Sequence, residues 1–344
     1  MLIRATGHQV SGLPRARSLW RLGRIAFLAA VAGAAVQAPT RARAQAPGGE
    51  LPNRVDRGLA TADDWQIYIT YYPAAGSDKE NVGKKTPVVV LLHGDKNNRL
   101  IWEGEKGLAP RLNKEGFAVI TVDLRKHGQS TNVARTTGDS PAGGTNIEGT
   151  NMHAEDYGNM VDYDLPAVKK FIYEQHQAKR LNMNKMGIIA AESSAAVAVC
   201  FAADDWLKDP YDDAPAVEMK TPRGQDVRAL VLLSPPQKTR GLPFNDALSA
   251  ARNPDWGIAF LTLYGNLNKS DASAIATHRK LFASTKANKD RIFLIGYKVN
   301  LRGTDLVGKR EVDAEATIVE FLKLHLKDLK DSEWRDRQSR LLKR

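Results

Sequence analysis

The chain is 344 residues long, has a formal net charge of +11 and contains a single cysteine. Its hydrophobic fraction of 42% and charged fraction of 26% are ordinary for a soluble globular protein, and its length suits one large α/β domain plus a targeting segment. One cysteine excludes an intrachain disulfide, and the apolar neighbours of Cys200 indicate a small buried side chain rather than a nucleophile.

Residues 1–44 have the pattern of a secretory signal peptide. Several arginines precede an apolar run at 25–36, and Ala42 and Ala44 are spaced as in an A-x-A cleavage site. The alternative is a membrane anchor, but the run is only about a dozen residues long, against roughly 20 needed to cross a bilayer. We therefore predict an exported protein (periplasmic or extracellular), cleaved near Ala44, with no stable transmembrane anchor.

Removal of that segment changes the charge of the chain. The segment holds seven Arg and no acidic residue, so residues 45–344 carry a formal net charge of +4. A charge this small gives little reason to expect nucleic-acid binding. Residues 45–56 are predicted to be a mobile leader, and the basic tail at 330–344, where acids alternate with arginines, is predicted to be a solvated helix end.

Between these ends, the pattern over 57–329 predicts one α/β domain. Alternation of apolar and polar residues predicts a β-hairpin over 59–72. A continuous apolar run at 87–92 predicts a strand buried on both faces, FAVITV at 117–122 predicts the next buried strand, and a helix over about 102–114 separates them. This βαβ alternation indicates a parallel sheet with helices on both faces.

The remaining elements continue the alternation. Residues 131–160 are rich in Thr, Gly, Asn and Ser, which predicts a long loop over the C-terminal edge of the sheet. A helix is predicted to begin near Asp164. Further strands are predicted at 227–233, 257–264 and 291–299, and further helices at 272–283 and 312–329.

The stretch MGIIAAESSAAVAVC, residues 186–200, joins a strand to an Ala-rich helix through a tight turn. A serine at the apex of such a turn is the arrangement of a nucleophile elbow, whose usual motif is G-x-S-x-G. With Ser193 at the apex, Ala191 and Ala195 replace the two glycines. The alternative is that Ser193 only caps the helix that begins there.

In this order, the segments resemble the α/β-hydrolase superfamily, with its esterase, lysophospholipase and serine-aminopeptidase-like members. PVVVLLHG resembles the third strand and its turn, GFAVITVDLRKHGQS the fourth strand and the segment after it, and GIIAAESSAA the elbow. VRALVLLSP and FLTLYG resemble the sixth and seventh strands. The resemblance implies an α/β-hydrolase fold: a mostly parallel central sheet, helices on both faces, an antiparallel N-terminal hairpin and no large lid between the sixth and seventh strands.

The resemblance also implies roles for individual residues. It places Ser193 at the nucleophile and the backbone N–H groups of Asp95 and Ser194 in the oxyanion hole. The acid position after the seventh strand is occupied by Asn268, which cannot carry the charge that stabilises an imidazolium. Asp271 is a weaker alternative acid, or the N-cap of the next helix.

The histidine of a Ser-His-acid triad is expected at 298–310, where the sequence KVNLRGTDLVGKR contains none. His153, in the long loop, is the alternative base. The other histidines of the domain considered for this role lie in predicted helices or near the sheet edge: His93, His127, His278 and His325.

Two functions remain open from the sequence. One is a serine hydrolase of esters or amides that acts through Ser193 with a non-standard base, because the expected triad His and Asp are missing. The other is a non-catalytic protein of this fold, a degenerate or pseudoenzyme member that binds a ligand or supports the cell envelope. No metal or nucleotide motif is present, so no cofactor is expected, and a small-molecule or lipid-like ester ligand is the expected partner.

Overall fold

A computed structural model describes residues 54–104, 107–131, 152–267, 272–282 and 288–342. Within these ranges one eight-stranded sheet has the order β1-β2-β4-β3-β5-β6-β7-β8. The strands are β1 (Val55–Ala60), β2 (Gln66–Tyr72), β3 (Pro87–Leu92), β4 (Ala118–Asp123), β5 (Asn182–Ala191), β6 (Val227–Leu233), β7 (Ala259–Gly265) and β8 (Ile292–Tyr297).

Helices connect these strands and cover both faces of the sheet. They are α1 (Glu80–Gly83), α2 (Leu108–Lys114), α3 (Ala154–Asn159), α4 (Leu165–Gln177), α5 (Ser193–Trp206), α6 (Phe244–Ala251), α7 (Ala272–Phe282) and α8 (Ala314–Leu322). In the described part of the chain, none of the helices has the length and apolar character needed to traverse a bilayer.

The predicted fold class is confirmed. β1, β2 and β4 pair antiparallel, and every pairing from β4 through β3 to β8 is parallel. All side chains of β3 and β4 are buried, because α2 and α8 pack on one face of the sheet while α4, α5 and α6 pack on the other. Burial on both faces explains why β3 is a continuous apolar run and β4 is largely apolar.

Several element boundaries differ from the sequence prediction; α2, for example, begins at Leu108 rather than near Trp102. β1 begins at Val55, inside the segment predicted to be a leader, because it pairs with β2 from Val55 to Ala60. The predicted loop at 131–160 ends earlier than expected, since α3 begins at Ala154 and continues through a π-helical segment, Met160–Asp164, into α4. The backbone N–H of His153 donates to the Asp156 carboxylate at 2.7 Å, which stabilises this helix start. Residues 132–151 lie outside the described ranges.

The interpretation of the C-terminal tail as a solvated helix end is wrong. Trp334 stacks on the His176 ring at 4.8 Å between ring centroids, and Arg337 is only 6% exposed. The Arg337 guanidinium donates to Asp226 at the start of β6 and, at 2.9 Å, to Asn184. The tail therefore packs against the end of the sheet opposite the β5–α5 turn.

Candidate active site

The turn between β5 and α5 has its apex at Glu192, one residue before the position expected from the sequence. Glu192 has φ 53° and ψ −126°, and Ser193 is already the first residue of α5. A non-glycine residue in this region of backbone space is strained and persists only where its surroundings hold it. Here the Glu192 N–H donates to the Leu233 carbonyl at 2.9 Å, and its carbonyl accepts from Ala195 N–H at 3.0 Å.

Ser194 fixes the turn from inside. Its Oγ accepts from the Ala191 N–H at 3.0 Å and lies 2.8 Å from the Ala191 carbonyl. Ala190, Ala191 and Ala195 are fully buried around it. Small residues at these positions allow the strand and helix to approach closely, so the motif fits the register Ala190-x-Glu192-x-Ser194 as well as the register that centres on Ser193.

The Glu192 carboxylate occupies the space beside the loop that follows β3. The backbone N–H of Asp95 donates a hydrogen bond to it. Burial raises the pKa of Glu192, the nearby Asp95 carboxylate raises it further, and Arg302 partly offsets both. The Asp95 N–H predicted to be an oxyanion-hole donor thus already has an acceptor within the protein.

The loop after β8 meets Glu192 through a glycine. Gly303 has φ 51°, and a Cβ added there would lie 2.7 Å from Glu192 Cγ. The adjoining Thr304 Oγ1 accepts from Asn97 Nδ2 at 3.0 Å, which ties this loop to the one after β3. Gly303 therefore lies against the apex residue in the loop where a triad histidine was expected.

Ser193 forms a separate polar group in front of the turn. Its Oγ donates to Asp95 Oδ2 at 2.8 Å. The Tyr157 hydroxyl forms a second hydrogen bond with the Ser193 side chain. Because the serine proton is directed at Asp95, the phenol is the donor in the second bond. Burial raises the pKa of Tyr157, so the phenol stays protonated at neutral pH.

No imidazole nitrogen in the described ranges hydrogen-bonds the Ser193 hydroxyl. His93 lines the same cleft, but its Nε2 accepts from Leu124 N–H at 3.2 Å and its Nδ1 lies 2.8 Å from the Gly94 carbonyl. Burial, with His127 beside it, lowers the pKa of His93 to about 3, so it is neutral. His127 Nδ1 lies 2.9 Å from the Arg125 carbonyl.

The other described histidines considered as a base do not line this cleft. His153 is exposed immediately before α3 and is absent from the described cleft lining. His278 lies in α7, stacked on Phe282, and His325 packs against Phe321. Asn268 and Asp271 lie outside the described residues, so their role as acids stays a prediction.

The cleft itself is small. It is lined by His93, Gly94, Asp95, Leu124, His127, Tyr157, Met160, Ser193 and Ser194, and it has room for about one water molecule. Within the described ranges, no group of three or more His, Cys, Asp or Glu side chains is placed to hold a metal ion.

Sequence reasoning missed Glu192 and Tyr157. The second motif register, with a glutamate between small residues, was the available signal for Glu192.

The strain at Glu192 predicts an unusual stability order. Replacement by Gly removes both the carboxylate and the backbone penalty, whereas replacement by Ala removes the carboxylate alone. We expect Glu192→Gly to be more stable than Glu192→Ala by about 1–2 kcal/mol in urea unfolding. Equal stability of the two variants, or a more stable Ala variant, would contradict a strained apex at this residue.

Comparison with known proteins supports the architecture. A family model for the alpha/beta hydrolase fold matches residues 87–179, and no curated protein matches the sequence. An esterase from Pyrococcus furiosus superposes with a TM-score of 0.53 at 14% identity, over 82% of this chain and 97% of that one. A dienelactone hydrolase from Anabaena variabilis gives 0.50 at 15% identity, over 80% and 100%.

A carboxyl esterase from Bacillus coagulans is similar to the same degree, with a TM-score of 0.51 at 11% identity over 79% of this chain and 99% of that one. At sequence identities this low, structural similarity shows a shared fold and does not show a shared reaction. The sheet order, the strained turn after β5 and these likenesses agree with the resemblance drawn from the sequence. The chain has the α/β-hydrolase fold and is hydrolase-like in its architecture.

Proposed function

We propose that this protein is an exported, non-hydrolytic member of the α/β-hydrolase fold that binds a small molecule across the mouth of the cleft beside Glu192, because the cleft itself has room for only about one water molecule. The observation that carries the proposal is the Glu192 carboxylate at the apex of the β5–α5 turn, hydrogen-bonded to the Asp95 N–H. The export part rests on the signal-like pattern of residues 1–44.

A carboxylate at this position works against acyl transfer. Serine hydrolysis needs a hydroxyl activated by an imidazole, and N–H donors that are free to receive the developing oxyanion. Glu192 supplies no nucleophile of this kind, and its carboxyl group takes up the Asp95 N–H that an oxyanion would need. Gly303 offers no base from the loop after β8.

The charge of the cleft bears on its ligand. Asp95 and Glu192 place two carboxylates beside it, and Asp305 adds a third nearby against the opposing charge of Arg302. The neutral His93 contributes no compensating cation. We infer that the ligand is neutral or cationic rather than a carboxylate, which is the product of ester hydrolysis.

A serine hydrolase acting through Ser193 is the second candidate. It is favoured by the 2.8 Å hydrogen bond from Ser193 Oγ to Asp95. It is also favoured by the hydrogen bond between the Tyr157 hydroxyl and the Ser193 side chain. In that mechanism Asp95 would accept the serine proton. A carboxylate is a much weaker base than imidazole at neutral pH, because its ordinary pKa lies near 4.

Labelling with a fluorophosphonate probe separates the two candidates. We expect no labelling of the folded protein, and no difference between it and the Ser193→Ala variant, under conditions in which an ordinary serine hydrolase is labelled to completion. Labelling of the unaltered protein that disappears in Ser193→Ala would refute the proposal and establish Ser193 as an activated nucleophile.

A further inference from the structure

The two outer strands of the sheet differ in chemistry. β1, at one edge, has the sequence VDRGLA, and its Asp56 and Arg57 are exposed. β8, at the other edge, has the sequence IFLIGY and no charged residue. Within the described ranges β8 pairs with β7 alone. Proteins usually protect an open edge with charges or irregularity, because its free N–H and C=O groups recruit another strand.

The face of β8 that is turned towards α8 is formed mainly by apolar side chains. The Phe293 ring packs against Phe321 with 6.1 Å between centroids, and the Tyr297 hydroxyl donates to Thr317 at 3.0 Å, so both side chains point towards α8. Ile295 lies between them on the same face of the strand and is 36% exposed. Leu324, just beyond α8, is 64% exposed.

The charges at the two ends of β8 are complementary under a two-fold axis. Asp290 precedes the strand and Lys298 follows it, and both are exposed. If two copies of β8 pair antiparallel with Leu294 opposite itself, Asp290 of each copy lies opposite Lys298 of the other. The same register places Phe293 opposite Ile295, which buries both at the α8 face.

We propose that β8 is a self-association edge at which two copies of this chain pair antiparallel about a two-fold axis at Leu294. The pairing extends the eight-stranded sheet across both subunits and satisfies the open backbone groups of both edges. A two-fold interface needs one self-complementary patch, and β8 with its flanking Asp290 and Lys298 provides it. The inference is independent of what the cleft binds.

Sedimentation equilibrium of the purified protein tests the proposal. We expect a dimer at micromolar concentration, and an Ile295→Lys variant that dissociates at least about tenfold more readily, since the added ammonium would be desolvated in both copies. Val55→Lys is the matched control, because Val55 is 41% exposed on the opposite edge strand. It should leave the dimer unchanged, with thermal unfolding confirming that both variants are folded.

A charge exchange tests the register. Asp290→Lys alone should weaken the dimer by bringing like charges together, and the double variant Asp290→Lys/Lys298→Asp should restore it. A protein that is monomeric up to about 100 µM would overturn the proposal. So would a dimer that survives Ile295→Lys, that dissociates with Val55→Lys instead, or that the charge exchange does not restore.

Discussion

Glu192→Ser is expected to leave ester hydrolysis on the order of 10⁶-fold below that of an intact Ser-His-Asp enzyme. The substitution places a hydroxyl at the apex of the β5–α5 turn and frees the Asp95 N–H, so a nucleophile position and one oxyanion donor are restored together. In our proposal the component that stays missing is the base: Gly303 faces the apex in the loop after β8, and one ring nitrogen each of His93 and His127 lies beside a backbone carbonyl. Free oxyanion donors alone leave at most about 10³–10⁴-fold over the reaction in water.

Glu192→Ala is the matched control for this prediction. It frees the same backbone donor without adding a hydroxyl, so the two variants should hydrolyse p-nitrophenyl acetate at rates within a few-fold of each other. A Glu192→Ser rate more than about a hundredfold above that of Glu192→Ala would mean that a general base reaches the apex, since such a base contributes roughly 10²–10⁴-fold. The Glu192 carboxylate would then be the feature that prevents hydrolysis in the unaltered protein.

The sheet could be predicted from the sequence because burial of a strand on both faces constrains each of its residues directly. β3 and β4 are covered on both faces, which favours apolar residues, and the largely apolar segments at 87–92 and 117–122 could be recognised directly. The lack of a histidine after β8 is equally a property of the sequence. It needed no geometry, only the expectation of where that loop lies.

The apex of the elbow could not be fixed in the same way. The residues around it are small on both sides, so Ala190 and Ser194 frame Glu192 as well as Ala191 and Ala195 frame Ser193. The choice depends on tertiary contacts, from Glu192 N–H to the Leu233 carbonyl and from Ser194 Oγ to the Leu92 carbonyl. A one-residue shift exchanges the side chain at the apex, which changes the inferred chemistry while leaving the fold unaltered.

The prediction of a solvated C-terminal tail was wrong for a related reason. Arg337 stands among alternating charges, which locally indicates solvent, but its partner Asp226 lies 111 residues earlier at the start of β6. Lys169 reaches the same carboxylate at 2.6 Å and also pairs with the buried Asp205. Periodicity within the tail carries no information about an acceptor that distant.

Arg337→Ala is therefore expected to destabilise the fold by about 3–5 kcal/mol, the usual cost of removing one partner from a buried ionic group. The loss uncovers Asp226, which is fully buried, and leaves Lys169 as its remaining cation. It also removes the hydrogen bonds that the guanidinium donates to Asn184 at 2.9 Å and to Gly224 at 3.0 Å. For a domain of this size the thermal midpoint should fall by about 6–20 °C.

Arg335→Ala tests whether the effect belongs to the buried group or to the tail's charge in general. Arg335 is exposed two residues earlier, so its replacement removes the same formal charge and should change stability by no more than about 0.5 kcal/mol. Equal midpoints for the two variants in differential scanning calorimetry would mean that the tail is not anchored through Arg337. A large loss in Arg337→Ala alone would establish residues 330–342 as part of the folded domain, held by one ionic cluster at the end of the sheet away from the cleft.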